Sequence, residues 1–457
     1  MDKKSLRGLM IYMENKVPFY QKISYGATDC AGNLLYVVIS TYLLYFFTDV
    51  FGLSVGIAGT LLLATRLVDA VDAPIWGFLV DHTHTKWGQS RPYFLWICIP
   101  FAFFTWLTFT TPSLSPQMKV VYAAVTYICA GVCYTGIATP ITSILPNLSN
   151  DSKERVVLNS YRMVGGNIGK LFTNLTLPLV AILGAGNDRK GFSFTLAIFG
   201  VVAVILLISA FKNLRERNVS KLKSIPIKKS VGAVKGNWPW ILLVTANLIY
   251  WIGSNVMSSS QIYYFQYNLH MKYLVSVVGA LSFLTIGGMI LIPFMVKISN
   301  KRSVMIGSLI VSAVANMLIH FAGGSVAAVI ILYVISSIGS GVACSMPFAM
   351  LSDTVDFGEW KTGIRASGFL TSIGSAFCIK AGSGIGGFIP AQIMGAFGYV
   401  ANKTQTASSL FGIEFSFVWL PAILFLAACI PMVIYGKYEK NEINIKNELE
   451  ARRAVQA

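Results

Sequence analysis

Charge is what this chain has least of. Asp, Glu, Lys and Arg make up 12% of its 457 residues, and only 19 of them are acidic. No soluble globular domain has that composition alongside 55% hydrophobic residues. Histidine is nearly absent, at four residues without metal-ligand spacing. The seven cysteines (Cys30, Cys98, Cys129, Cys133, Cys344, Cys378, Cys429) all fall in apolar segments, which excludes a disulfide framework and a thiolate metal site. There is no Walker A motif, so ATP hydrolysis has no support. No nucleophile–base triad points to an enzyme. The basic start, with Lys3, Lys4, Arg7, Lys16 and Lys22, leads into an apolar run longer than a leader core, so this run is expected to be kept as a membrane helix.

Apolar runs of about 18 or more residues recur from end to end, and the mean hydropathy is +0.64. The chain reads as an all-α integral membrane protein. Twelve helices are expected at 24–48, 56–80, 92–111, 117–140, 162–184, 192–211, 238–266, 272–297, 303–323, 325–350, 366–397 and 410–436. The net charge of +17 would suggest nucleic acid in a soluble protein, but alternate loops hold the basic residues here. With both termini cytoplasmic, the inner segments hold 28 Lys and Arg, against five outside: Lys119, Arg189, Lys190, Lys272 and Lys403.

The most basic connection, 212–237, divides the chain. It separates an inner N-terminal segment (1–23) and a six-helix half (24–211) from a second half (238–436) and an inner tail (437–457). Its charge reads as a tether near anionic membrane lipid. The halves share a faint repeat. Pro140 and Pro347 each precede a charged loop, then Arg162 or Arg365, then glycine, then Lys170 or Lys380. Two parallel six-helix halves describe the major facilitator architecture, with a substrate site at the midplane.

Three ionisable residues, Arg66, Asp69 and Asp72, sit in the middle of the second apolar run. A central charge costs roughly 2.5–3.5 kcal/mol on insertion scales, so such residues default to function. Arg66 and Asp69 share a helix face at i and i+3. The abruptly polar stretch DHTHTKWGQSRP follows as a surface loop.

The stretches SYGATDCAGNLLY, YFFTDVFGLS, RLVDAVDAPIWG, DHTHTKWGQSRP, SNDSKERVVLNSYR and LSDTVDFGEWKTGIR resemble the glycoside–pentoside–hexuronide cation symporters across both halves. The resemblance implies sugar or glycoside uptake driven by H+ or Na+, with no other cofactor. It places cation coupling at Asp69, the one candidate Na+ position, with Asp72 beside it, and sugar contact at Arg66 and Lys380. The family's second acid directly precedes the proline. Here that position is Ala73, and Asp72 lies one residue earlier, about 100° around the helix, so H+ and Na+ both stay open. The family's first-helix sugar acid aligns with Asn33, and Asp29 lies one turn before it on the same side. Tyr25, Tyr134, Trp251, Tyr263 and Tyr264 are the aromatic candidates for a sugar face, Tyr134 among the substrate residues. Arg91, Arg155, Arg162, Asp353, Asp356 and Arg365 are expected to close an inner gate. The rival reading is an exporter of an amphipathic solute or lipid on the same fold.

Overall fold

The computed structural model describes residues 17–149, 152–217, 234–281, 294–322, 325–363 and 367–456, together with 232, 284 and 292. The chain divides into two compact units, Met1–Leu222 and Lys223–Ala457. The division falls within the basic segment 212–237.

The first unit contains α1 (Phe19–Tyr45), α2 (Val55–His82), α3 (Arg91–Trp96), α4 (Cys98–Thr108), α5 (Pro116–Leu148), α6 (Ser152–Thr173), α7 (Thr176–Gly184) and α8 (Asp188–Asn213). The second contains α9 (Trp238–Tyr263), α10 (Leu274–Leu281), α11 (Lys301–His320), α12 (Val326–Thr362), α13 (Ser367–Ser372), α14 (Cys378–Ala396), α15 (Ala407–Glu414), α16 (Leu420–Glu439) and α17 (Glu442–Gln456). No strand occurs among the described residues. Each of the twelve apolar stretches carries helix. Seven described helices are long and apolar enough to cross a membrane, or eight if the bent pair Val157–Thr173 and Thr176–Gly184 is one span.

Caps mark where several helices begin. Ser115 accepts from the Met118 amide before Pro116, Asn237 from Trp240, Asn300 from Ser303 and Thr406 from Ser409, each satisfying an otherwise orphan N–H. Pro347 lies inside α12, Pro390 inside α14 and Pro431 inside α16, which membrane helices tolerate.

Two stretches that read as charged loops are helical. The Ser152–Tyr161 stretch is the start of α6, and α12 runs on through Asp353, Asp356 and Trp360 to Thr362. The reason is packing. Phe357 lies edge-on to Trp238 and Tyr438, with ring centroids 6.1 and 5.5 Å away. The Trp360 indole donates to Glu448 of α17 at 2.8 Å. Hydropathy falls at these helix ends because they leave the lipid, although the helix continues.

The units repeat one packing scheme. In each, the first spanning helix packs against the fifth and sixth, and the third against the fourth and sixth. The first helices also end alike. After Tyr45 and after Tyr263 the backbone widens into one π turn, Phe46–Val50 and Tyr264–Asn268. Phe51 and Leu53 then donate to Phe46 and Phe47, exactly as Leu269 and Met271 donate to Tyr264 and Phe265. Gly52 (φ 84°) and His270 (φ 57°) supply the left-handed residue.

Candidate functional site

Helices α1 and α6 touch backbone to backbone. A Cβ at Gly26 would lie 2.7 Å from the Tyr161 carbonyl oxygen, one at Gly165 2.0 Å from that of Gly26, and one at Gly169 2.5 Å from that of Cys30. This is the small-residue packing that lets membrane helices approach closely. The register also brings Gly166 against the polar side of α1. A Cβ there would stand 2.5 Å from Asp29 Oδ2 and 3.1 Å from Asn33 Nδ2. Asn33 Nδ2 donates to the Asp29 carbonyl at 2.9 Å, which fixes the amide beside the carboxylate.

The face that α1 leaves half-exposed carries Asp29, Asn33 and Tyr36, whereas Ala31, Leu34, Leu35 and Val38 are buried. Polar groups half-exposed at membrane depth belong to a water-filled cavity rather than to lipid. Tyr36 stacks on Tyr134 of α5, with centroids 4.3 Å apart and planes at 13°. Tyr134 therefore stands on the wall that carries Asp29 and Asn33. Arg162 and Lys170, one helical turn either side of Gly166 on α6, act on Asp29 through their charge. Arg162 Nε is buried and has no hydrogen-bond acceptor among the described residues. Sequence reading put Arg162 with an inner gate; its charge also bears on this wall. Together the wall offers a carboxylate, an amide, a cation and a stacked aromatic pair, the groups that hold a polyol.

On α2, Asp72 is buried, while the side chains of Arg66 and Asp69 lie outside the described residues. The polar loop after α2 is built as a turn around Gly88, whose φ is 112°. Glu216, which sequence reading passed over, accepts from the backbone N–H groups of Gln89, Ser90 and Arg91 at 3.1, 2.8 and 2.9 Å. It also accepts from Asn147 Nδ2 at 3.0 Å. Arg91 donates to the Phe211 carbonyl at 2.7 Å. Arg155 donates to that of Ser149 at 2.7 Å, across the α5–α6 corner.

The second unit repeats the close approach between α9 and α14. Cβ atoms at Gly382 and Gly386 would lie 2.6 Å from Trp251 Cβ and 2.5 Å from Asn255 Cβ. Lys380, half-buried, precedes this contact by two residues. Trp251 Nε1 is buried without an acceptor among the described residues. Tyr25 donates to the Ile141 carbonyl at 2.8 Å, and Tyr250 donates likewise to Ser340 at 2.9 Å. Asp353 pairs with Lys301 at 2.7 Å, and its carbonyl accepts from Tyr438 at 2.9 Å. Asp356 lies on α12, and Arg365 lies outside the described residues. Gly166, Gly382 and Gly386 were not marked as site neighbours. The G-x-x-x-G spacing at 165/169 and 382/386 is the signal that marks the two close approaches; Gly166 sits beside the first pair and outside the pattern.

A family profile described as MFS/sugar transport protein matches residues 24–437. The chain belongs to that family. Its resemblance to the glycoside–pentoside–hexuronide symporters holds along its whole length. It is 41% identical over 450 residues to the isoprimeverose transporter of Lactiplantibacillus pentosus, covering 96% of this chain and 93% of that one. It is 29% identical to the glucuronide carrier protein homolog of Escherichia coli strain K12, covering 97% and 98%. The fold matches the crystal structure of a D-xylose-proton symporter with TM-score 0.66 at 13% identity, covering 91% of this chain and 97% of the other. This sugar-transport family member has the major facilitator fold. It is a membrane transporter, not an enzyme, and its class is cation-coupled symport of a sugar or glycoside.

Proposed function

We propose that this chain imports a small glycoside of the isoprimeverose kind across the bacterial plasma membrane by alternating access, with both termini cytoplasmic. The observation that carries the reading is the α1–α6 wall, where Gly166 holds Asp29 and Asn33 beside the Tyr36–Tyr134 stack. Asp29, Asn33 and Tyr134 take sugar hydroxyls and a ring face, joined by Arg66 and Lys380. Asp69 and Asp72 carry the coupling ion, H+ or Na+, and no other cofactor is used. A carboxylate suits either ion, as a proton acceptor or as a hard oxygen ligand. Arg91, Arg155, Arg162, Asp353, Asp356 and Arg365 serve inner closure.

The orphan Arg162 Nε favours one variation, an acidic glycoside whose carboxylate it would meet. The test is uptake of labelled isoprimeverose into right-side-out vesicles under an imposed pH or Na+ gradient, with unlabelled neutral glycosides and glucuronides as competitors. Accumulation driven by one gradient and blocked by neutral glycosides is expected. Blockage by glucuronides alone selects the acidic variation. Uptake indifferent to both gradients overturns the coupling.

A further inference from the structure

At the basic end of α16, a cavity of about 400 Å3 opens between that helix and the start of α11. Asn300, Arg302, Lys437, Glu439 and Lys440 line it with Val433 and Gly436. Arg302 faces Glu439 at 3.0 Å, an ion pair off hydrogen-bond alignment. It lies flat on Gly436, where a Cβ would come 2.1 Å from Nη1. Lys437, in the last turn of α16, and Lys440, its C-cap, are both exposed and stand three residues apart. Three cations against one carboxylate leave the lining positive by two charges.

What leads away from the cavity is apolar. Ile430, Val433 and Ile434 are 64%, 60% and 44% exposed. With Lys437 they stand at i, i+3, i+4 and i+7, a single stripe along α16. An apolar, solvent-incompatible stripe that ends in a pocket of lysine and arginine has the two-part chemistry of an anionic phospholipid. Acyl chain would lie along the stripe, and phosphate would enter the cavity. We propose that this pocket binds the phosphate headgroup of an anionic membrane lipid. The site is distinct from the α1–α6 wall and does not depend on the sugar carried. Glu439 opposes the anion directly, but it is engaged by Arg302, so Lys437 and Lys440 are the free partners.

Native mass spectrometry of the full chain in detergent, titrated with phosphatidylglycerol or phosphatidylcholine, tests this. Retention of phosphatidylglycerol roughly tenfold or more above phosphatidylcholine is expected, and the Lys437→Gln, Lys440→Gln pair removes the preference. Gly436→Ala, which displaces Arg302, weakens it as well. A thermal melt unchanged by the paired substitution shows that the fold is intact. Equal retention of the two lipids by the unaltered chain overturns the proposal. Displacement of phosphatidylglycerol by millimolar glycerol phosphate overturns the lipid as occupant and assigns the pocket to a soluble phosphate.

Discussion

Gly166 sets its bare Cα against the carboxylate of Asp29, with room for no more than a hydrogen between them: a methyl group would meet Oδ2 at 2.5 Å. Its neighbour Gly165 meets the Gly26 carbonyl even more closely, at 2.0 Å. One contact is with a side chain that can rotate, the other with a backbone that cannot. Gly166→Ala is expected to keep the fold and weaken sugar affinity. Gly165→Ala forces α1 from α6 and costs about 1–3 kcal/mol of stability or more. Thermal unfolding measured beside sugar binding separates the two. Identical effects would show that Asp29 is not part of the site.

Asp29→Asn keeps the shape of the side chain and removes its charge. Hydrogen bonds to charged groups are worth about 1.5–3 kcal/mol, so sugar affinity should fall roughly 10- to 100-fold. Calorimetric titration with isoprimeverose measures this, and an unchanged Kd removes Asp29 from the sugar wall.

Asp69→Asn addresses coupling rather than binding. The variant is expected to exchange sugar across the membrane without concentrating it. Vesicles that still accumulate sugar against its gradient would place the coupling group elsewhere. Arg66→Ala, by contrast, should lose sugar binding outright.

Glu216 satisfies three consecutive backbone N–H groups of the α2–α3 connection. Glu216→Ala leaves those donors half-buried without a partner, at a cost on the order of 3 kcal/mol. The readout is proteolytic nicking at Thr83–Ser90, which should rise sharply. A loop as resistant as before would mean that the Gly88 turn stands without this anchor.

The all-helical membrane fold was legible because lipid imposes a length and a composition on any helix that crosses it. Asp29 and Asn33 were legible as one face because their spacing is four residues. What stands opposite them was not, since the register between two helices is set by which glycines let backbones meet. The helical ends at Ser152–Tyr161 and Leu351–Thr362 read as loops for a related reason. Hydropathy reports contact with lipid, and Phe357 and Trp360 are held by Trp238, Tyr438 and Glu448 instead. Glu216 was hidden among the basic residues Arg215 and Arg217, where only its three amide partners distinguish it.

The twin π turns after Tyr45 and Tyr263 close on the same pair of main-chain hydrogen bonds. Bonds of that kind keep no memory of the letters around them. Two turns can therefore carry different residues, Phe-Thr-Asp-Val at 47–50 and Phe-Gln-Tyr-Asn at 265–268, and still finish their helices on the same bonds.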